Sequence, residues 1–226
     1  MRRYLYFTVF ISGMTSLAAE FGAARLLGNV FGTSNPVWAA IIGLILIYLT
    51  AGYFLGGRWA DRSPHPKTLY GILAWAAFTL GLVPYISAPV LRTAADAVDS
   101  LQIGVIAGAF IGVLVLFIVP VTLMGMVSPF AIRLTLNETG RAGNTAGTIY
   151  GISTIGSFIG TFLPTLLLIP TIGTPRTFLV FSLTLLMVAL VGLARSSGRR
   201  AVWLGLLMLT VLVLLDLLAG RGGIKK

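Results

Sequence analysis

Glu20 and Arg25 interrupt an otherwise apolar N-terminal stretch, and Asp61 and Arg62 follow Gly57 within the run GGRWADRSPHPK at 56–67. Charged residues make up only 10% of the chain, so these side chains are its main means of doing chemistry. A carboxylate in a low-dielectric setting is a strong cation ligand. Two unit charges 4 Å apart attract by about 1 kcal/mol in water and about 4 kcal/mol at an effective dielectric constant of 20. Glu20 is therefore a candidate substrate-binding residue for a cation, and an acid within an apolar segment is a functional candidate by default. Arg25 follows five positions later, a helical rotation of about 140°, so the two do not share a face and need not pair directly. Glu20 is expected to face the bundle interior, water or a partner. The structural alternative is hydrogen bonding to small polar residues, or to Arg25 reached around the helix.

Other chemistry is poorly provided for. The acids Glu20, Asp61, Asp96, Asp99, Glu138 and Asp216 are scattered, there is no cysteine, and His65 is the single histidine. Disulfides, thiolate metal sites and thiol catalysis are excluded in this chain, and a structural zinc site lacks ligands. No nucleophile and base pair stands out, so the sequence points to no enzyme, no metal and no cofactor.

The elements that must position Glu20 and Asp61 follow from composition. Of 226 residues, 57% are hydrophobic, and the mean hydropathy is +0.98, more apolar surface than a soluble fold of this size can bury. Apolar stretches at 4–27, 37–57, 69–91, 102–128, 146–171, 177–194 and 201–218 are each near the length of about 20 residues that crosses a bilayer as a helix. The sequence predicts an all-α polytopic membrane protein, one domain over 1–226, with about seven transmembrane helices. The N-terminal stretch runs past Glu20 to Leu27, beyond the apolar core of about 7–15 residues typical of a secretory signal, so the first helix is expected to be retained.

The net charge of +10 does not indicate nucleic acid, because Lys and Arg sit in short runs at segment ends. With the N-terminus inside, Arg2, Arg3, Arg58, Arg62, Lys67, Arg133, Arg141, Arg195, Arg199 and Arg200 fall on the inner side. Arg25, Arg92, Arg176, Arg221, Lys225 and Lys226 fall outside. The excess predicts a cytoplasmic N-terminus. The basic tail RGGIKK is discordant with that count.

On this topology the 56–67 run is a cytoplasmic loop between the second and third helices, with Ser63 expected to cap the third helix and Pro64 in its first turn. As a positive-inside anchor it accounts for the Arg and Lys but not for Asp61. Gly57, Asp61 and Arg62 resemble the first half of the Gly-x-x-x-Asp-Arg loop signature of the major facilitator superfamily. The second half departs, with Pro64 where a glycine is usual and His65 and Pro66 breaking the basic pair. The resemblance implies a gating loop in which Asp61 is the acceptor, Arg62 a partner and Gly57 the close-packing point.

Gly143, Gly147, Gly151, Gly156 and Gly160 place small residues along much of the fifth helix, Gly104, Gly108 and Gly112 do so on the fourth, and Gly52 and Gly56 on the second. Such faces let helices approach closely, and a packing role explains them better than a substrate-lining one. Pro120, Pro129, Pro164 and Pro170 predict kinks in the fourth and fifth helices.

Taken in order, SGMTSLAAEFGAARLLGNVFGTSNPVWA, AGYFLGGRWADR, MGMVSPFAIRL and GRAGNTAGTIYGISTIGSFIGTFLPTLLLIPTIGTPRT resemble the membrane domain of bacterial spermidine synthase-like proteins. That family fuses a major-facilitator-like membrane half to a soluble aminopropyltransferase. The resemblance covers about residues 12–195, with Glu20 and Arg25 at its acidic and basic positions in the first helix, which makes both candidate substrate-binding residues, and the glycines at 143–160 in its fifth. It implies half of a major facilitator fold in a bacterial inner membrane, handling a small cationic solute such as a polyamine. The soluble catalytic domain is not found in this chain, so the resemblance implies a separate spermidine synthase-like partner, with a second copy of the chain as a further expected partner. A non-transporting anchor for a soluble enzyme is the alternative from a different class.

Overall fold

Every regular element among the described residues is a helix, the form in which a segment satisfies its own backbone in lipid. The computed structural model describes residues 2–101, 104–136, 142–196 and 199–221. Its helices are α1 (Arg2–Phe31), α2 (Asn35–Arg62), α3 (Pro66–Leu101), α4 (Val105–Gly125), α5 (Val127–Thr135), α6 (Ala142–Phe162), α7 (Ile169–Ile172), α8 (Thr174–Ser196) and α9 (Arg199–Arg221). A π-helical turn, Leu163–Leu168, joins α6 to α7.

Local sequence explains the breaks. Gly32 takes φ 80° after α1 and Gly173 takes φ 83° before α8, left-handed turns that a side chain would strain. The α4–α5 break falls at Met126, where Pro129 can offer no N–H to the carbonyl of Gly125. Pro164 lies within the π-helical turn and Pro170 just after it, and the Ile169 N–H reaches the Pro164 carbonyl. Pro66, not Pro64, opens α3, and the Ser63 hydroxyl contacts the side chains of Thr68 (3.1 Å) and His65 (3.3 Å) rather than capping backbone.

Among the described residues six helical spans are long and apolar enough to cross a membrane, counting α4 with α5 and α6 with α7 as single spans. The expected number is about seven, and the seventh segment falls in α9, Arg199–Arg221. The last expected segment forms a shorter apolar stretch, Val202–Leu218, within α9, which lies against α8 and α3. α1 is central: it packs along α6 and also touches α2, α3, α4, α5 and α8. α2 packs on α4 and α5, and α3 packs between α4 and α8.

Successive helices alternate in direction, as side-chain contacts show. Tyr4, at the start of α1, donates to the Val188 carbonyl of α8 (2.6 Å), stacks against Tyr70 of α3, and lies under Arg195 at 4.5 Å. Asp61 at the end of α2 meets Arg133 of α5. One end of the bundle therefore gathers Arg2, Arg3, Arg58, Arg62, Lys67, Arg133 and Arg195, while Arg25, Arg92 and Arg176 lie toward the other. The chain has no cysteine, so single cysteines report this cleanly. His65 and Asp96 are both exposed and stand about 45 Å apart along α3. An impermeant thiol reagent added to intact cells is expected to label Asp96→Cys and spare His65→Cys; labelling of both from one side would overturn the alternation.

The glycines sort into two kinds. A Cβ on Gly156 would strike the Phe10 carbonyl oxygen, one on Gly160 the Met14 carbonyl oxygen, and one on Gly13 the Ser153 carbonyl oxygen, so α1 and α6 cross backbone to backbone. Gly52 lies against Thr122 and Gly125, and a Cβ on Gly56 would sit 2.6 Å from the Met126 Cα, which brings α2 equally close to the α4–α5 break. By contrast, Cβ atoms on Gly143, Gly147 and Gly151 would meet nothing within 4 Å. Among the described residues these three glycines make no close helix contact. The step from Gly151 to Gly156 is five residues, a rotation of about 140°, so the first three glycines point away from the face that meets α1. Gly57 is likewise open, and Gly56 is the close-packing point of α2.

Candidate functional site

Val9, Ser12, Gly13, Ser16 and Leu17 recur at helical spacing of three and four along α1 and form one wall of a partly open cavity of about 80 Å³ between the helices. The other walls are Leu49 and Tyr53 of α2, Met124, Gly125, Val127 and Ser128 around the α4–α5 break, and Ser153 and Ser157 of α6. Both glycine crossings build it. The approach at Gly13, Gly156 and Gly160 sets the α6 serines beside those of α1, and the approach at Gly52 and Gly125 closes the side formed by α2 and α4. Ser12 and Ser16 lie roughly 15–21 Å along α1 from Arg2, near the middle of a hydrocarbon layer of about 30 Å.

Many hydroxyls in the bundle are satisfied within their own helix, and those around the cavity are not. Thr8, Thr50, Thr154 and Thr161 each donate to the carbonyl four residues back, the usual way for a helical hydroxyl to be satisfied in lipid. Around the cavity Ser157 instead donates across to the Gly13 carbonyl at 3.1 Å. Ser12, Ser16, Ser128 and Ser153 make no hydrogen bond to protein among the described residues. The wall thus offers hydroxyls free to meet a guest. A single water occupies roughly 10–15 Å³, so the cavity has room for several waters or one small polar group, and it is smaller than the cavity of about 150 Å³ that takes benzene.

Glu20 follows Ser16 by four residues and Leu17 by three, so it continues the cavity stripe of α1 by one further turn. It is half-buried and forms no ion pair or hydrogen bond among the described residues. Arg25 is exposed and is not brought to Glu20. Asp61 lies at the basic end, remote from the cavity, where its Oδ1 is 3.3 Å from Nε of Arg133. Arg62 is exposed and does not pair with Asp61, so the partner of the acid comes from α5 and not from the adjacent residue. Both members of this pair are solvent-accessible, and such pairs contribute only about 0–1 kcal/mol.

Ser12, Ser16, Ser128, Ser153 and Ser157 were not legible as a site from the sequence alone. A signal existed in the two pairs at i and i+4, Ser12 with Ser16 and Ser153 with Ser157, each stripe inside an apolar helix. No group of three or more potential metal-ligating side chains occurs among the described residues. A scan against family models and searches of curated proteins and of solved structures give no match to this chain.

Proposed function

We propose that this chain is a carrier half of a bacterial inner-membrane system and receives one cationic end of a small organic solute, such as a polyamine, between α1, α2, the α4–α5 break and α6. The observation that carries this reading is the serine-lined cavity at mid-membrane depth with the unpaired Glu20 on the same face of α1, one turn further along. An ammonium group carries donors only, so the cavity oxygens and a carboxylate are the complementary set. The cavity volume of about 80 Å³ accommodates an ammonium terminus rather than a whole polyamine, so the remainder of the solute would extend along the helix seam. The ordered motifs that resemble the membrane domain of bacterial spermidine synthase-like proteins support the choice of an amine and of a separate aminopropyltransferase-like partner. The basic end of the bundle supports a cytoplasmic N-terminus.

Radiolabelled spermidine uptake into proteoliposomes is the direct test, with and without a soluble aminopropyltransferase supplied inside. Uptake above empty liposomes is expected. None under either condition would remove the transport reading and leave the anchor reading.

The pairing of Asp61 with Arg133 supports a gating role for the 56–67 loop within this reading, since it ties the end of α2 to α5 beside the α4–α5 break. Asp61→Asn is expected to change the uptake rate severalfold while solute affinity stays within about twofold, because the loss is a surface contact worth about 1 kcal/mol or less. An unchanged rate would assign Asp61 a purely topological setting.

A further inference from the structure

The basic end of α2 carries two adjoining hollows on the outside of the bundle. One, of about 640 Å³, is lined by Arg58, Trp59, Arg62 and Ser63 among others. The second, of about 490 Å³, runs between α2, α3 and α4 from Trp59 and Lys67 past Gly71 and Trp75 to Thr79. Trp59 lines both, so the two hollows meet at its side chain as a groove with a basic head and an apolar body.

We infer that this groove seats one anionic phospholipid, its phosphate held by Arg58 and Arg62 and one acyl chain lying along α3 as far as Thr79. Charge decides the head. Arg58 and Arg62 are four residues apart on one face of α2, and neither they nor Lys67 has an acidic partner among the described residues, the nearby Asp61 being engaged by Arg133. Basic pockets between membrane helices recognise anionic head groups in this way. Length decides the body. From Lys67 to Thr79 the groove descends about 18 Å, close to one leaflet, half of a hydrocarbon layer of about 30 Å. Trp59, 45% exposed at the basic head, is an amphipathic ring of the kind that settles at the head-group boundary, and Trp75, 54% exposed, lines the apolar body below it. Gly71 leaves the floor open: a Cβ there would meet nothing within 4 Å.

That open glycine supplies a variant that fills the groove without disturbing a helix contact. The test uses full-length protein in neutral detergent with Trp38→Phe and Trp203→Phe, so that Trp59 and Trp75 report. Brominated phosphatidylglycerol or brominated phosphatidylcholine is titrated in and fluorescence quenching is read. Phosphatidylglycerol is expected to bind at least about tenfold more tightly, with an advantage that shrinks as salt rises. The pair Arg58→Gln and Arg62→Gln is expected to lower its affinity roughly fivefold per arginine removed while sparing phosphatidylcholine. Gly71→Leu is expected to weaken both lipids with an unchanged melting temperature. Equal affinity for the two lipids, or wild-type affinity in the double arginine variant, would overturn the proposal. So would dimerisation through the groove that Gly71→Leu disperses, since that would make the occupant a second copy.

Discussion

Leucine at Gly160 is expected to leave little folded protein, while leucine at Gly151, two and a half turns away on the same helix, leaves the yield unchanged. At Gly160 even a methyl group would strike the Met14 carbonyl oxygen and come within 2.8 Å of its carbon and 2.9 Å of the Met14 Cα. These are backbone atoms in the middle of α1, and no rotamer change can move them aside. Overpacking a core that can adjust costs about 1–3 kcal/mol. Here the helices themselves must part, so the cost is expected to reach or exceed the top of that range. Folding stabilities are only about 5–15 kcal/mol, so much of the margin goes. Gly156→Leu is expected to behave as Gly160→Leu does, its obstacle being the Phe10 carbonyl. The measurement is the monodisperse fraction and melting temperature of detergent-solubilised protein. A Gly160→Leu protein as stable as wild type would mean that α1 and α6 do not cross at these positions, and the cavity they frame would go with them.

Glu20→Gln is expected to weaken solute binding by about a hundredfold with the fold intact. The amide keeps the size and most of the hydrogen-bonding capacity of the carboxylate, so what is lost is charge. At an effective dielectric constant of 20, a carboxylate and an ammonium 4 Å apart attract by about 4 kcal/mol. Because Glu20 is only half-buried, part of this is screened, and a loss of about a hundredfold in affinity for spermidine is the expected scale. Ser12→Ala and Ser153→Ala remove oxygens from the cavity wall and are expected to weaken binding by about tenfold each, the scale of a hydrogen bond to a charged group. Equilibrium binding to purified protein separates these effects from transport rate. If Glu20→Gln binds as wild type does while the serine variants fail, the cavity takes a neutral polar guest. If all of them bind as wild type does, the cavity is not the site.

The membrane class was legible from residue types alone, because apolar runs of bilayer length leave a helix as the only way to satisfy the backbone, a local property of each segment. The gathering of Arg58, Arg62, Lys67 and Arg195 at one end was legible for the same reason: alternation of direction follows once the segments are counted. Glu20 was also singled out by sequence, since an acid within an apolar helix needs a reason wherever that helix packs.

Tertiary structure decided the rest, because it turns on rotational phase and on which helix lies opposite. Gly151 and Gly156 look alike in a glycine-rich run, yet five residues carry them to different faces, and only the position of α1 says which face is crowded. The partner of Asp61 is Arg133, a residue distant in sequence that the α4–α5 break turns toward the end of α2. Ser12, Ser16, Ser128, Ser153 and Ser157 are individually unremarkable in membrane helices, where a hydroxyl can always bond to its own backbone. They become a site only because glycine crossings bring separate helices within reach of a shared space, and that convergence is a property of packing which no single segment encodes.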